Sequence, residues 1–434
     1  KTMKLLPIFI SLLFSLACTC GRAQSITTYF TGSRSDAETY PTGGICLMGG
    51  ATEDDNAMRW FLRRADGGDV LVLRASGSDG YNDYFFSDLN VNVNSVETIV
   101  FNNANGANDP RVHEAIQQAE AIWFAGGDQS TYLSYWRGTT VDSLIRSAVQ
   151  DRNIVIGGTS AGMAILGGFQ FSAAGGTIRS PQALADPFDP KITIDSARFL
   201  AVPYLENVIT DTHYDDPDRR GRHVAFLARI GHSFSATAYG IACDEYTAVC
   251  LTPEGIGRVY GDGSEEDYAY FLQANCDAGP PETLANGQPL TWDHNGKALK
   301  VYRIQGNATG LRTFDLNDWQ TGSGGEWLHW FVRSGTFNNL AGTAPECSST
   351  AITTFVKDES VVVAPNPVGD TPLRIEADWP IQEVRLVDTN GRLVQRWKGI
   401  RQQAILLPLD TLTRGSYQLL VKGQRGWVQR AIIR

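Results

Sequence analysis

One short segment places a serine among glycines in a pattern that could perform covalent catalysis. Residues 157–162 read Gly-Gly-Thr-Ser-Ala-Gly, after an apolar run at 153–156 and before a helix-compatible stretch at 163–166. A serine between glycines at a strand-to-helix turn has the form of a nucleophile elbow. Such a turn holds the Ser160 hydroxyl at the amino end of a helix, where free N–H groups and the helix dipole favour an oxyanion. The segment therefore predicts a serine hydrolase.

A catalytic serine needs a general base, and the base needs a carboxylate that orients it. His213 closely follows an apolar run at 208–210, so we expect it at the carboxyl end of a buried strand. Asp244 and Glu245 follow a second apolar run at 240–243. Adjacent side chains of an extended segment point to opposite faces, so only one of these two carboxylates can face His213. The spacing alone leaves that choice open.

An oxyanion hole needs two N–H groups that are directed at one point. The N–H of Ala161, directly after the serine, is one candidate. A glycine turn at 125–129, which follows an apolar run at 122–124, is expected to supply the second. Each donor would stabilise the transition state by about 3 kcal/mol.

The elements that must position these residues alternate between apolar runs and helix-like segments, from residue 43 to about residue 262. Most of the runs are continuous, which is typical of strands buried on both faces. We predict strands at 45–48, 70–74, 98–101, 121–124, 154–156, 208–210 and 241–243, and helices at 54–65, 109–119 and 139–150. This alternation predicts a doubly wound α/β domain, in which ligands bind at the carboxyl ends of the strands.

A chain of 434 residues is too long for one ordinary domain. A lysine, an apolar run and a group of small residues indicate a signal peptide at 1–23. The α/β catalytic domain is expected at 40–262, followed by a β-rich appendage at 263–350. Alternating strands and turn residues at 362–434 predict a small β-sandwich.

Charge and cysteine usage restrict the partners and cofactors. The formal net charge of −10 argues against a nucleic-acid partner, which would require a basic surface. Cys46, Cys243 and Cys250 lie in apolar runs and are expected in the core, whereas Cys276 and Cys347 could form a disulfide. The spacing of cysteines and histidines does not indicate a metal site, so no metal or other cofactor is expected.

At these residues the chain resembles the serine peptidases that include cyanophycinase and dipeptidase E. The matching segments lie at 47–51, 124–129, 157–162, 211–214, 220–222 and 244–248. They cover roughly residues 43–262 and fit the cyanophycinase branch better. The resemblance implies a class I glutamine-amidotransferase-like (flavodoxin-like) parallel sheet. It also implies a peptide or isopeptide substrate, which could be of the β-aspartyl-arginine type, and it leaves a homodimer open.

Carried over to this chain, the resemblance implies Ser160 as the nucleophile, His213 as the base and Glu245 as the acid. It implies Gly127 and Ala161 as the oxyanion hole. The positions that it implies for substrate binding are Asp128, Gln129, Asp211, Arg220 and Arg222.

Three departures from the family fall near the base. Thr212 and Tyr214 stand where the family usually has Gln and Phe, and the spacer at 215–219 is longer than usual. These departures lie at positions of substrate recognition and leave the three catalytic positions intact.

The C-terminal unit resembles the type IX secretion sorting domain of Bacteroidetes. The matching features lie at 365–367, 384–394 and 415–417, with a basic end at 430–434. Together with the signal peptide, this resemblance implies export across both membranes to the cell surface or the medium, with the type IX secretion machinery as a partner.

Two other functions are compatible with the same serine turn. An α/β-hydrolase-type esterase places its histidine last in the order Ser, acid, His, so this chain would have to use His294 or His329. A non-catalytic binding protein on a peptidase scaffold is the other alternative, because a fold does not guarantee an activity.

Overall fold

The computed structural model describes residues 24–196, 199–263, 267–345, 361–365, 372–388, 393–409, 415–423 and 426–433. The predicted signal peptide and Cys347 lie outside the described residues. Cys276 is disulfide-bonded, whereas Cys46, Cys243 and Cys250 are free and buried. Within the described part of the chain, no helix is both long enough and apolar enough to cross a bilayer.

The predicted helices at 54–65, 109–119 and 139–150 form, with their ends shifted by one or two residues. The helices of the described residues are α1 (Asp55–Arg63), α2 (Pro110–Gln118), α3 (Gln129–Trp136), α4 (Thr140–Asp151), α5 (Ala161–Ala164), α6 (Ser180–Ala185) and α7 (Arg220–Phe234). Side-chain caps set where α1 and α2 begin, because Asp54 accepts the N–H of Ala57 at 2.8 Å and Asp109 accepts that of Arg111 at 3.0 Å.

The larger of two central sheets has ten strands and carries the serine turn. Its strands are β1 (Ile26–Gly32), β2 (Gly44–Met48), β3 (Asp69–Arg74), β4 (Ser95–Phe101), β5 (Ala121–Phe124), β6 (Val155–Thr159), β11 (Ala248–Leu251), β12 (Ile256–Tyr260), β15 (Thr313–Asp315) and β16 (Gly322–Ser323). Their order is β1-β4-β3-β5-β6-β2-β11-β12-β15-β16. The five strands from β4 to β2 are parallel. The predicted α/β class with a large parallel-rich sheet is therefore confirmed.

A second sheet has six strands. Its order is β18-β17-β14-β13-β10-β9, with β9 (Val208–Asp211), β10 (Tyr239–Cys243), β13 (Tyr268–Ala274), β14 (Leu299–Gln305), β17 (Glu326–Arg333) and β18 (Thr336–Ala341). His213 follows one of them, β9, and Glu245 follows its neighbour, β10. The strands predicted at 208–210 and 241–243 both form, and they lie in this second sheet rather than in the larger one. Strand β9 pairs with β10, and β10 pairs in turn with β13. An apolar run indicates a buried strand but does not specify its partner.

The two sheets share an apolar core. One buried cluster contains Leu47 and Ile156 from the larger sheet together with Ile241 and Phe271 from the smaller one. Burial of this apolar surface from both sheets stabilises their contact. The serine-bearing and histidine-bearing strands are thus held in one packed unit.

The β-rich segment predicted at 263–350 supplies strands to both sheets. Strands β13, β14, β17 and β18 belong to the six-stranded sheet, and β15 and β16 belong to the ten-stranded one. This segment therefore extends the α/β unit through its hydrogen bonds, and it differs in that respect from a separate appendage. A further two-stranded sheet contains β7 (Gln170–Phe171) and β8 (Ile194–Asp195).

The C-terminal unit is rich in strands, as predicted. Its described strands are β19 (Val362–Ala364), β20 (Leu373–Asp388), β21 (Leu393–Leu407), β22 (Ser416–Gly423) and β23 (Gly426–Ile433). Strand β20 pairs with β21 along one edge, and with β19 and then β22 along the other. Apolar side chains from β20, β22 and β23 meet in one buried cluster of this unit.

Candidate active site

Ser160 lies in a strained turn between β6 and α5. Its backbone has φ 51° and ψ −116°, a combination that non-glycine residues seldom adopt. The turn is also crowded, because a Cβ at Gly162 would come within 2.1 Å of the Phe124 carbonyl oxygen. A Cβ at Gly158 would come within 2.6 Å of the Gly162 backbone. The glycines therefore permit the close approach that holds the serine at the sheet edge.

The structure brings Ser160, His213 and Glu245 into one hydrogen-bonded line. The Nε2 atom of His213 lies 2.8 Å from the Ser160 Oγ, and its Nδ1 atom lies 2.5 Å from the Glu245 Oε1. About a quarter of each of the His213 and Glu245 side chains is exposed. When Glu245 accepts the Nδ1–H, the Nε2 lone pair is free to take the serine proton.

His213 and Glu245 reach Ser160 from different elements. His213 follows β9, has a left-handed backbone with φ 45°, and donates its N–H to the Gly49 carbonyl at 2.9 Å. Glu245 lies at the corner where the chain leaves β10 in the smaller sheet and enters β11 in the larger one. The line of three side chains therefore spans the contact between the sheets.

The structure distinguishes the two adjacent carboxylates that spacing left open. Asp244 is buried and faces the smaller sheet, where its Oδ2 accepts the Tyr268 N–H at 2.9 Å and the Tyr270 hydroxyl at 3.4 Å. This burial raises the pKa of Asp244 to about 8. Glu245 points the other way, toward His213, as the alternation of side chains along an extended segment requires.

The glycine turn after β5 lies against the serine. A Cβ at Gly126 would be 3.7 Å from the Ser160 Cβ, and one at Gly127 would be 2.7 Å from the Tyr132 hydroxyl. Tyr132 donates to the carbonyls of Ala125 and Gly126, both at 3.0 Å, and thereby fixes the turn. Sequence reasoning missed Tyr132, although a tyrosine one helical turn after a glycine turn is a readable signal.

Ala161 is the first residue of α5, so its N–H belongs to the group of amides that have no partner within the helix. It follows Ser160 directly, and the turn that carries Gly127 lies across from it. The Ala161 N–H and the glycine turn that carries Gly127 thus lie beside Ser160, after the neighbouring strands β6 and β5.

The structure turns two of the predicted substrate-binding side chains inward. Arg222 and Asp211 form a buried ion pair with exposures of 3% and 4%, and Arg222 Nε donates to Asp211 Oδ2 at 2.8 Å. Arg222 also donates to the Ile178 carbonyl at 3.1 Å. Burial alone would raise the pKa of Asp211, but the charge and hydrogen bonds of Arg222 hold that pKa below its usual value.

The other predicted substrate-binding side chains also have partners within the chain. Asp128 caps α3 by accepting the Ser130 N–H at 2.9 Å, and Gln129 Nε2 lies 3.4 Å from the Phe171 carbonyl. Arg220 binds the carboxylate of Asp218 at 2.9 Å and lies over the ring of Phe337. None of these bonds joins them to Ser160 or His213, although Asp211 and Asp128 lie at strand ends beside the site.

The histidines that an esterase order would require lie elsewhere. His294 Nε2 is 2.9 Å from the Pro280 carbonyl. His329 is buried within β17 of the smaller sheet. Ser160 is hydrogen-bonded to His213 instead.

A cleft of about 740 Å³ opens beside the acid member of the line, and we call it the acidic cleft. It is lined by Glu53, Asp54, Asp55, Asp215, Asp262, Asp267 and Tyr246, among others. Burial raises the pKa of Glu53 and that of Asp54, and the nearby carboxylates of Asp55 and Asp262 add to the rise at Asp54. The sequence analysis missed this cleft, because its carboxylates come from four separate segments.

The segment that contains Ser160 is similar to known peptidases. Residues 80–185 match the family model of Peptidase family S51. Cyanophycinases from Synechococcus elongatus and Thermosynechococcus vestitus are each 26% identical over 262 residues, which cover 56% of this chain and 75% of each relative. The solved structure of a peptidase from an acI-B1 Actinobacterium superposes with a TM-score of 0.39 and 14% sequence identity. The superposition covers 51% of this chain and 89% of that peptidase. The family match and the cyanophycinase similarity support a serine peptidase.

Proposed function

We propose that this chain is a serine peptidase that cleaves a peptide or isopeptide bond through an acyl-serine intermediate. The observation that carries the proposal is the line from Ser160 Oγ through the His213 imidazole to Glu245, with distances of 2.8 Å and 2.5 Å. In this proposal Ser160 is the nucleophile, His213 is the general base and Glu245 orients the imidazole. The match to Peptidase family S51 supports the same chemistry.

The reaction proceeds in two halves. The Ser160 oxygen attacks the substrate carbonyl carbon while His213 Nε2 takes the serine proton, and the N–H groups of Gly127 and Ala161 bind the resulting oxyanion. His213 then gives this proton to the leaving amine, and the C–N bond breaks to leave an ester on Ser160. Water, deprotonated by the same imidazole, hydrolyses this ester and restores the enzyme.

The substrate we propose carries a cationic group close to the scissile bond, as in β-aspartyl-arginine peptides. Two observations support this choice: the similarity to cyanophycinases, and the acidic cleft lined by Asp215 and Tyr246 next to Glu245. A guanidinium would be attracted by several carboxylates held on one surface.

A substrate profile of the full-length mature chain tests the proposed function. We expect β-aspartyl-arginine peptides to be cleaved faster than α-aspartyl dipeptides of equal length, because the cleft attracts the arginine. Simple esters serve as the comparison for serine reactivity without peptide recognition. Cleavage of the esters alone would favour an esterase, and no turnover of any substrate would favour a binding protein.

We also propose that the chain is exported, on the strength of the N-terminal and C-terminal sequence features. Removal of residues 362–434 is expected to abolish its appearance in the medium or on the cell surface, because the remaining chain would lack the sorting signal. Immunoblots of fractionated cells check this, with a periplasmic marker as the control. Unchanged secretion of the shortened chain would contradict the proposal.

A further inference from the structure

A single arginine bonds the backbone on both sides of His213. Arg219 donates its side-chain Nη1–H to the carbonyl of Thr212 at 2.8 Å, and its backbone N–H to the carbonyl of Tyr214 at 2.9 Å. These are the two residues that flank His213. Because φ is 45° at His213, its conformation is unfavourable for a side chain with a Cβ and has to be held by its surroundings.

The carboxylate partner of the histidine is held from the same segment. Asp215 Oδ1 accepts the backbone N–H of Glu245 at 3.0 Å. Asp215 and Arg219 are the first and last residues of the spacer at 215–219, which joins the His213 segment to α7. The two ends of one five-residue spacer therefore contact both partners of the hydrogen bond between His213 and Glu245.

The guanidinium of Arg219 donates to a backbone carbonyl, and within the described part of the chain no ion pair joins it to a carboxylate. Asp211 binds Arg222 through both of its carboxylate oxygens. Among the described residues, the Nε of Arg219 has no hydrogen-bond partner. Burial lowers the pKa of Arg219, and Arg222 adds to this, whereas Asp211, Glu245 and Asp215 favour its charge. A partly buried guanidinium that donates to the backbone beside the histidine differs from a solvent-exposed surface arginine.

We propose that Arg219 is a positioning residue for the general base, with Asp215 in the same role for the acid. The Arg219 side chain fixes the peptide plane before His213, and its backbone N–H fixes the carbonyl of Tyr214, so that the imidazole stays within reach of both Ser160 and Glu245. This role rests on the proposed function, because it has meaning only if His213 activates Ser160. It makes the long spacer at 215–219 part of the catalytic apparatus of this chain.

Arg229 offers a matched control in the helix that begins directly after Arg219. It lies in α7, donates its Nη1–H to the carbonyl of Pro187 at 2.7 Å, and its Nε has no hydrogen-bond partner among the described residues. Burial lowers its pKa as it does that of Arg219. Both arginines are partly buried and donate an Nη1–H to a backbone carbonyl, but of the two only Arg219 bonds the residues that flank His213.

The test compares Arg219→Met, Arg219→Lys and Arg229→Met in the full chain. The probe is an alkyl fluorophosphonate, which labels an activated serine without any knowledge of the natural substrate. We measure the maximal labelling rate of Ser160, the probe concentration at half-maximal rate, and the midpoint of thermal unfolding. A misplaced base lowers the rate constant and leaves probe binding unchanged.

We expect Arg219→Met to slow maximal labelling roughly 10- to 100-fold, with a half-maximal probe concentration within about threefold of wild type. Arg219→Lys should recover most of the rate, because an ammonium can donate to the Thr212 carbonyl and keeps the charge. Arg229→Met should label at the wild-type rate, even where its thermal midpoint falls as far as that of Arg219→Met.

Two results would overturn the inference while the proposed function stands. One is wild-type labelling of Arg219→Met. The other is equal slowing of both methionine variants in proportion to their lost thermal stability, which would mark a structural role. A wild-type chain that is not labelled at all, or is labelled as fast after Ser160→Ala, would instead refute the proposed function and remove the basis of the inference.

A second pair of variants separates the hydrogen bond of Asp215 from its charge in the acidic cleft. Asp215→Asn keeps an oxygen that can accept the Glu245 N–H and should label within about threefold of wild type, whereas Asp215→Ala should label roughly tenfold more slowly. Equal rates for the two variants would refute the positioning role of Asp215.

Discussion

Replacing Ser160 with alanine is expected to lower peptide hydrolysis by about 10⁴- to 10⁶-fold without unfolding the chain. The substitution removes only the hydroxyl group, whose oxygen lies 2.8 Å from His213 Nε2. No acyl intermediate can then form, and the rate that remains comes from binding and from the oxyanion donors alone. Steady-state hydrolysis of a β-aspartyl-arginine peptide and labelling by a fluorophosphonate both measure the effect. Ser134→Ala, which removes an exposed hydroxyl on α3 that bonds the Thr131 carbonyl, is the control.

The free energy of unfolding tests independently whether the backbone at Ser160 is strained. Ser160 holds φ 51° and ψ −116°, which is costly for a residue with a Cβ and accessible to glycine. Ser160→Gly should therefore be as inactive as Ser160→Ala but more stable, by about 1 kcal/mol in the free energy of unfolding. Retention of hydrolysis in either variant would contradict the proposed mechanism. A loss of stability in the glycine variant would show that the turn is not strained.

Much of the parallel sheet could be predicted from the sequence, because a strand buried on both faces leaves a continuous apolar run. The predicted runs at 45–48, 70–74 and 121–124 match β2, β3 and β5 to within a residue. The pairing of β9 and β10 in a second sheet could not be predicted. Register and partner choice depend on side chains far away in sequence, such as those of β13 and β14, which a local pattern does not encode.

The sequence predicts the reactive side chains of the candidate site, but it does not predict the partners of the side chains around them. Ser160 directly follows β6 and His213 lies just after the end of β9, so the local pattern predicts both positions at strand ends. The inward pairing of Asp211 with Arg222 was not readable, because an arginine near a site looks the same in sequence whether it faces a substrate or a buried carboxylate. The orientation of Asp244 and Glu245 was constrained by alternation, but only the strand register decides which one faces the histidine.

A substitution at Gly50 is expected to have the second large effect on hydrolysis, because the absence of a side chain there leaves room for the His213 imidazole. A Cβ at Gly50 would come within 2.4 Å of His213 Cε1 and 2.5 Å of its Nε2, and the φ of +128° strains any residue with a Cβ. Gly50→Ala is expected to displace the imidazole and to reduce hydrolysis at least about 100-fold, since a misplacement near 1 Å has an effect of that size. Fluorophosphonate labelling and peptide hydrolysis measure this effect.

The control for Gly50→Ala has to separate backbone strain from steric displacement of the histidine. Gly138 has φ +71°, and a Cβ there would meet no heavy atom within 4 Å outside its chain neighbours. Gly138→Ala should therefore lose stability through strain alone and keep its labelling rate. If Gly50→Ala retained wild-type labelling while its thermal midpoint fell, the imidazole would have to be mobile enough to yield to a methyl group. In that case the bonds that hold the His213 segment, from His213 to Gly49 and from Arg219 to Thr212, could not be what sets the position of the imidazole.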